Sequence, residues 1–159
     1  MIGWGIRYGQ PAVRTSPYTP HAHWFGSRPK LLLDLRGELA DALVGDVIGA
    51  ASDYPYFKQY RIWPGPNPNT FTAVVARQVP GLGLELPATA IGKDFLTNDA
   101  ILANAPSGTG KQLLIFGLAG LTLAAEECLD LNILGLALGL DLSSPALKLH
   151  GIGRLGAEI

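Results

Sequence analysis

The sequence predicts an α+β fold, a single domain in which a mostly antiparallel sheet is joined by two or three helices and long Pro/Gly-rich loops. Three observations support this. Residues 37–52 repeat with helical period, Asn67 and Pro68 form a helix start, and residues 134–142 alternate with the period of a strand. A chain of 159 residues is long enough for one domain with its own core and short for two.

The stretch from Gly37 to Ser52 predicts an amphipathic helix. Two glycines inside it, Gly45 and Gly49, each cost roughly 1 kcal/mol relative to alanine, so the helix depends on tertiary packing. Its apolar side chains recur at every fourth position: Leu39, Leu43, Val47 and Ala51.

A second helix is predicted to begin at Asn67. Asparagine is a good N-cap, proline suits the first helical position, and helical spacing continues to Gln78 before Pro80-Gly81 ends it. Before it, Arg61-Ile-Trp63 predicts a short strand. After it, a short helix is expected near Asn98 to Ala103.

The C-terminal third is the most apolar part of the chain. Leucines at alternate positions from Leu134 to Leu142 predict a strand with one leucine face. Leu113 to Ala125 fits either a buried strand or a buried helix. Met1 to Tyr8 alternates as a strand would. Such a strand needs a partner, so we expect the domain of residues 1–159 to lack an upstream N-terminal segment.

The composition excludes several classes of protein. Twelve basic and thirteen acidic residues give a net charge of −1, which gives no support to nucleic-acid binding. One cysteine excludes an intramolecular disulfide framework. The sequence contains neither a signal-peptide pattern nor an apolar run of about 20 residues, the length of a membrane-spanning helix. These features leave the localisation open.

Two motifs resemble ligand sites and fail on inspection. Ala105 to Gln112 resembles a phosphate-binding loop, but Ala105 replaces the first glycine and Gln112 replaces the Ser or Thr that holds magnesium. We therefore expect a Gly/Ser turn that leads into a strand. His21-x-His23 has two metal-ligand side chains without a third ligand at the required spacing. We predict no cofactor and no metal.

The turn Asn67-Pro-Asn-Thr70 has the context of a catalytic site without the nucleophile. A thiol or hydroxyl at a helix N-terminus gains from the helix dipole and from free N–H groups that stabilise an oxyanion. Pro68 occupies the first helical position and has neither group. A capped structural helix is the alternative interpretation.

Several segments resemble a bacterial family catalogued as domain of unknown function 3750, whose activity is not established. They run in order along the chain: Ile2-Gly-Trp-Gly5, Trp24-Phe-Gly-Ser-Arg-Pro29, Leu31-Leu-Leu-Asp-Leu-Arg-Gly37, Tyr60-Arg-Ile-Trp-Pro-Gly-Pro-Asn67, Asn69-Thr-Phe-Thr72, Ala90-Ile-Gly-Lys-Asp94, Pro106-Ser-Gly-Thr-Gly110 and Pro145-Ala-Leu-Lys-Leu149.

The resemblance implies a further segment before Ile2, often with a membrane anchor and a histidine-bearing strand. Family members resemble Asn-Ser-Asn-Thr-Phe where this chain has Asn67-Pro-Asn-Thr-Phe71. That motif is in turn similar to the helix start of circularly permuted papain-like hydrolases. The similarity implies a degenerate nucleophile position at Pro68 in this chain.

Two hypotheses follow. In the first, the protein is non-catalytic and envelope-associated, with peripheral membrane contact or self-association through Leu113 to Leu142. In the second, it is a permuted papain-like hydrolase of amide or ester bonds with a replacement base. The candidate pocket of the second hypothesis consists of Trp63, Asn67, Asn69, Thr70, His21 and His23.

Overall fold

The computed structural model describes residues 8–17, 19, 22–23, 26–87, 89–115, 119–125, 128–133, 136–141, 145–149 and 153–156. Two α-helices, α1 (Glu38–Ser52) and α2 (Pro68–Gln78), precede the sheet. Seven strands follow, β1 (Leu102–Asn104), β2 (Gly110–Ile115), β3 (Ala119–Ala124), β4 (Cys128–Ile133), β5 (Leu136–Asp141), β6 (Ala146–Leu149) and β7 (Gly153–Gly156). The predicted α+β class with a mostly antiparallel sheet is confirmed.

Both predicted helices are confirmed at nearly the predicted limits. They pack together in one apolar cluster, formed by Ala50 of α1 with Val75 of α2 and Val79 just after it, and Leu43 and Val47 lie against it. Leu39 was expected on the same apolar face but is exposed. The contact between the helices therefore involves only the later turns of α1.

The sheet is a meander in which every strand pairs with its neighbours in sequence, and all pairs are antiparallel. The sequence allowed either a strand or a helix for the stretch Leu113 to Ala125. Its described residues contain the last three residues of β2 and all of β3. The alternating leucines from Leu136 to Leu140 form β5, as predicted. The predicted first strand, Met1 to Tyr8, lies almost wholly outside the described residues.

The predicted strand at Arg61-Ile-Trp63 is wrong. These residues form bends, and the Arg61 N–H donates to the Pro66 carbonyl at 2.8 Å, closing the loop on itself. Pro64 and Pro66 have no N–H to offer a neighbouring strand. The segment consequently has too few free donors to enter a sheet.

The predicted helix near Asn98 to Ala103 is also wrong. A short 3-10 helix covers Thr97–Asp99, with Asn98 in the left-handed region at φ 58°, and β1 follows it. The Ile101 carbonyl accepts the Leu114 N–H at 2.7 Å, so this segment pairs with β2. Pairing with the sheet replaces the helical hydrogen bonds.

The two faces of the sheet differ sharply in chemistry. One face has buried polar side chains, Gln112, Thr122 and Asp130, in neighbouring register positions on β2, β3 and β4. The opposite face, called the leucine face below, consists of three cross-strand rows. The rows are Leu102, Leu113, Leu121, Leu131, Leu138 and Leu149; Asn104, Lys111, Leu123, Leu129, Leu140, Leu147 and Leu155; and Ile115, Ala119, Ile133 and Leu136.

The end of α2 lies on the polar face of the sheet, which reverses the usual arrangement of an α+β domain. α2 contacts the sheet through Arg77, which reaches Asn104 and Gln112. Within the described residues, no helix is long and apolar enough to cross a membrane.

Candidate functional site

The N-terminus of α2 is capped by Asn67, as the sequence predicted. Its Oδ1 accepts the N–H groups of Asn69 at 2.9 Å and Thr70 at 3.1 Å. Its Nδ2 donates to the carbonyls of Ile62 at 2.9 Å and Ile91 at 3.0 Å. One buried amide thus joins the helix start to the loop before it and to the loop after α2.

Two further side chains of this turn bind the same distant loop. Asn69 Nδ2 donates to the Ile91 carbonyl at 2.9 Å, and Thr70 Oγ1 donates to the Gly92 carbonyl at 2.8 Å. A Cβ atom at Gly92 would overlap with the amide of Asn67, so the loop approaches the helix as closely as a glycine permits. These polar groups therefore bind the start of α2 to the loop at Ile91 and Gly92.

The backbone N–H groups at this helix start are also occupied. Pro68 has none, the Asn67 side chain accepts those of Asn69 and Thr70, and the Asn67 carbonyl accepts that of Phe71 at 3.0 Å. An oxyanion hole needs N–H groups that point at open space. The first turn of α2 offers none.

The remaining candidates of the predicted pocket are Trp63, His21 and His23, and Pro68 holds its nucleophile position. Pro68 is exposed, and Trp63 is 41% exposed. His23 is exposed, and no hydrogen bond joins it to the turn at residues 67–70, although both lie in the described part of the chain. His21 lies outside the described residues.

The structure also brings together a buried charged cluster that the sequence did not predict. Lys93 Nζ lies 2.5 Å from Asp130 Oδ2, and both side chains are almost fully buried. Lys93 Nζ also donates to the Leu86 carbonyl at 3.3 Å. The other carboxylate oxygen, Asp130 Oδ1, is buried without a hydrogen-bond partner among the described residues.

Asp94, next in sequence to Lys93, is the second carboxylate of this cluster. It accepts hydrogen bonds from Gln112 Nε2, at 2.5 Å, and from Asn132 Nδ2. Burial raises the pKa of Asp94 above its usual value, and the nearby Lys93 charge and the Asn132 hydrogen bond oppose that rise. Gly120 makes room for it, since a Cβ atom there would lie 3.3 Å from the Asp94 Cβ.

Arg77 connects the cluster to α2. Its guanidinium donates to the Lys93 carbonyl at 2.8 Å, to the Asn104 carbonyl at 3.0 Å and to Gln112 Oε1. Two cations, Arg77 and Lys93, therefore stand against two anions, Asp94 and Asp130. The cluster balances its formal charge, as buried ionic groups must.

This cluster has the chemistry of a site but no room for a substrate. The gap beside it, bordered by Leu86, Pro106 and Thr122, has a volume of about 0 Å³ for a molecule of water size. A separate cleft with about 110 Å³ of such space lies beyond Arg77. It is lined by Val74, Arg77, Gln78, Leu96, Thr97, Ala100 and Ala103.

The motif that resembled a phosphate-binding loop forms a turn between two strands. Residues 105–109 form the turn from β1 to β2, closed by Ala105 N–H to the Gly110 carbonyl at 2.9 Å, which confirms the predicted turn leading into a strand. Lys111 lies in β2 and donates to Asn104 Oδ1 at 2.7 Å. Within the described part of the chain, no group of three or more His, Cys, Asp or Glu side chains could hold a metal.

A signal for the buried cluster was present in the sequence. Polar residues alternate with leucines at Gln112, Thr122, Asp130 and Asn132, which marks one polar face across three strands. A polar strand face is normally read as the solvent side. Only the tertiary structure shows that this face is the buried one.

Comparison with known proteins identifies the family. The sequence of residues 1–95 matches a family described as "Protein of unknown function (DUF3750)". No curated protein and no solved structure matches the chain. The matched part includes the capped turn at Asn67 and the Lys93-Asp94 pair, and it covers more than half of the chain. The chain therefore belongs to the DUF3750 family of proteins of unknown function.

Proposed function

We propose that this protein works by contact with a partner and catalyses no hydrolysis. The observation that carries the proposal is the complete use of hydrogen-bonding groups at the start of α2. Asn67, Asn69 and Thr70 bind backbone groups through their side chains, and Asn67 Oδ1 accepts the N–H groups of Asn69 and Thr70. A hydrolase of the papain-like type needs free donors at this position.

Pro68 adds a second argument against the hydrolase alternative. It stands at the first helical position, is exposed, and supplies neither a nucleophile nor an N–H group. Among the described residues, His23 makes no hydrogen bond to the turn, so no base–nucleophile contact of the kind such a hydrolase uses is formed there. The degenerate nucleophile position that the resemblance implied is consistent with this geometry.

The leucine face supports contact as the mode of action. Large exposed apolar areas on soluble domains mark interaction surfaces. Nine large apolar side chains of its three rows are exposed: Leu102, Ile115, Leu123, Leu131, Ile133, Leu136, Leu138, Leu140 and Leu155. Peripheral contact with a bilayer or envelope surface stays a prediction for this face.

The test of the non-catalytic proposal uses the purified full chain with chromogenic esters and peptide amides. We expect no turnover above buffer from wild type. We also expect none from Pro68→Cys, because this change adds a thiol and one N–H group but leaves the N–H groups of Asn69 and Thr70 bound to Asn67 Oδ1. Asn69→Ala is the control for contaminating hydrolases. Wild-type turnover that falls in Asn69→Ala would overturn the proposal. Turnover only in Pro68→Cys would favour a degenerate hydrolase.

A further inference from the structure

The leucine face is a continuous apolar surface across all seven strands. Leu131 and Leu138 pair directly across β4 and β5, and the same row continues on both sides. Among the residues that form the three rows, Lys111 carries the one charge, and it lies at a corner, bonded to Asn104. The centre of the face is therefore uninterrupted aliphatic side chain.

The size of this face matches the requirement of a specific protein interface. Strands lie about 4.8 Å apart and rise about 3.3 Å per residue, so seven strands of three to six residues cover roughly 500 Å² of flat area. Projecting side chains increase the accessible area. Two such faces in contact would bury on the order of 1,000 Å² or more, the lower range of stable interfaces.

The chemistry of the face fits a second copy better than a bilayer. Surfaces that lie on membranes combine apolar residues with Trp or Phe and with Lys or Arg that meet anionic lipid. The three rows have no aromatic or arginine side chain, and one lysine at a corner. A uniform aliphatic sheet face matches itself, and two such faces pack about 10 Å apart as an aligned β-sandwich.

We propose that the leucine face packs against the leucine face of a second copy, so that two chains form a β-sandwich about a two-fold axis, with Leu131 and Leu138 near its centre. This inference rests on the proposed function by contact and specifies a second copy of the chain as the partner. A two-fold interface uses the same patch on both subunits, which a single self-matching face satisfies. The polar faces and their helices then lie on the outside of the dimer.

The test is sedimentation equilibrium of the full chain at several concentrations. Wild type should sediment as a dimer, with a dissociation constant of about 10 µM or lower. Leu131→Glu and Leu138→Glu should weaken association by at least about 100-fold, because each places two carboxylates in the apolar interface. Leu39→Glu is the matched control, since Leu39 is 53% exposed on α1 and Leu138 is 43% exposed on the sheet. It should remain dimeric.

A parallel measurement separates the alternatives. Flotation of wild type and Leu138→Glu with phosphatidylcholine vesicles, with and without phosphatidylglycerol, tests the bilayer. A monomer at about 100 µM overturns the proposal, whether or not it binds vesicles. Vesicle binding lost in Leu138→Glu would assign the face to lipid. The sedimentation of wild type shows by itself whether the chain forms a dimer. The test therefore still applies if a variant misfolds, which circular dichroism would reveal. A monomer without hydrolytic activity leaves the non-catalytic proposal standing.

Discussion

Lys93 Nζ lies 2.5 Å from Asp130 Oδ2, and this buried ion pair joins the loop after α2 to the centre of the sheet. The two residues are far apart in sequence, and each is almost inaccessible to water. Removing one partner leaves the other charge buried without compensation, which typically costs more than removing both. The pair therefore holds the loop after α2 against the polar face of the sheet.

We expect Lys93→Met and Asp130→Leu each to lower the free energy of unfolding by about 3–5 kcal/mol. The double variant Lys93→Met/Asp130→Leu should lose less than the two single changes together, since it buries no charge at either position. Urea unfolding of the four proteins measures this coupling. Simple additivity would show that the two charges do not interact in the folded state.

The close approach of Gly92 to Asn67 gives a second prediction. Gly92→Ala places a Cβ atom on the Asn67 amide and forces a side chain onto a residue at φ 91°. Gly83→Ala is the matched control, because Gly83 has φ 56° and open space around it. We expect a loss of about 1 kcal/mol for Gly83→Ala and clearly more, about 3 kcal/mol, for Gly92→Ala. Equal losses in thermal or urea unfolding would mean that the loop moves away from Asn67 without cost.

The raised pKa of Asp94 predicts a pH dependence of stability. A carboxyl whose folded pKa lies above its unfolded value of about 3.9 stabilises the folded state most below that pH. The contribution is lost as pH rises through the folded pKa. Asp94→Asn cannot titrate at residue 94. The free energy of unfolding of wild type minus that of Asp94→Asn should therefore decrease as pH rises from about 4 to 7.

Urea unfolding of both proteins at several pH values across this range checks the sign. A difference that grows with pH would show that the hydrogen bonds from Gln112 and Asn132, together with the Lys93 charge, outweigh the effect of burial. In that case the carboxylate, and not the protonated acid, would be the form that the cluster favours.

Tyr54 gives a prediction in which a substitution is not expected to destabilise the protein. Its ring makes edge contacts with Phe71, at 5.1 Å between centroids, and with Tyr56, but its buried hydroxyl has no hydrogen-bond partner among the described residues. Burial raises the pKa of Tyr54 because it disfavours the phenolate. Tyr54→Phe keeps the ring and removes the unpaired hydroxyl.

We expect Tyr54→Phe to be neutral or to stabilise the protein by up to about 1 kcal/mol. Tyr54→Ala, which also removes the ring, should cost about 3–4 kcal/mol. Thermal melting of the three proteins gives the comparison. A clear loss of stability in Tyr54→Phe would reveal a partner for the hydroxyl.

The sequence by itself determined the local structure of this protein. The Asn67-Pro68 start of α2 follows from side-chain capping and from the fixed φ of proline, and α1 and β5 follow from the period of their apolar residues. These signals lie within one element and require no distant partner. Where local signals were weak, hydrogen bonds decided the outcome: at Arg61–Trp63 the bond from Arg61 N–H to the Pro66 carbonyl closes the loop, and after Asn98 the Ile101 carbonyl pairs with Leu114 of β2.

Only the tertiary structure decided which face of the sheet is buried. Alternation showed that Leu138 and Gly139 point to opposite sides, but a single strand cannot reveal which side meets the helices. That choice was made by pairs distant in sequence, Lys93 with Asp130 and Asp94 with Gln112, whose charges and amides satisfy one another when the polar face is covered. The leucine face points outward because the opposite face is the one that α2 and the Lys93-Asp94 loop cover.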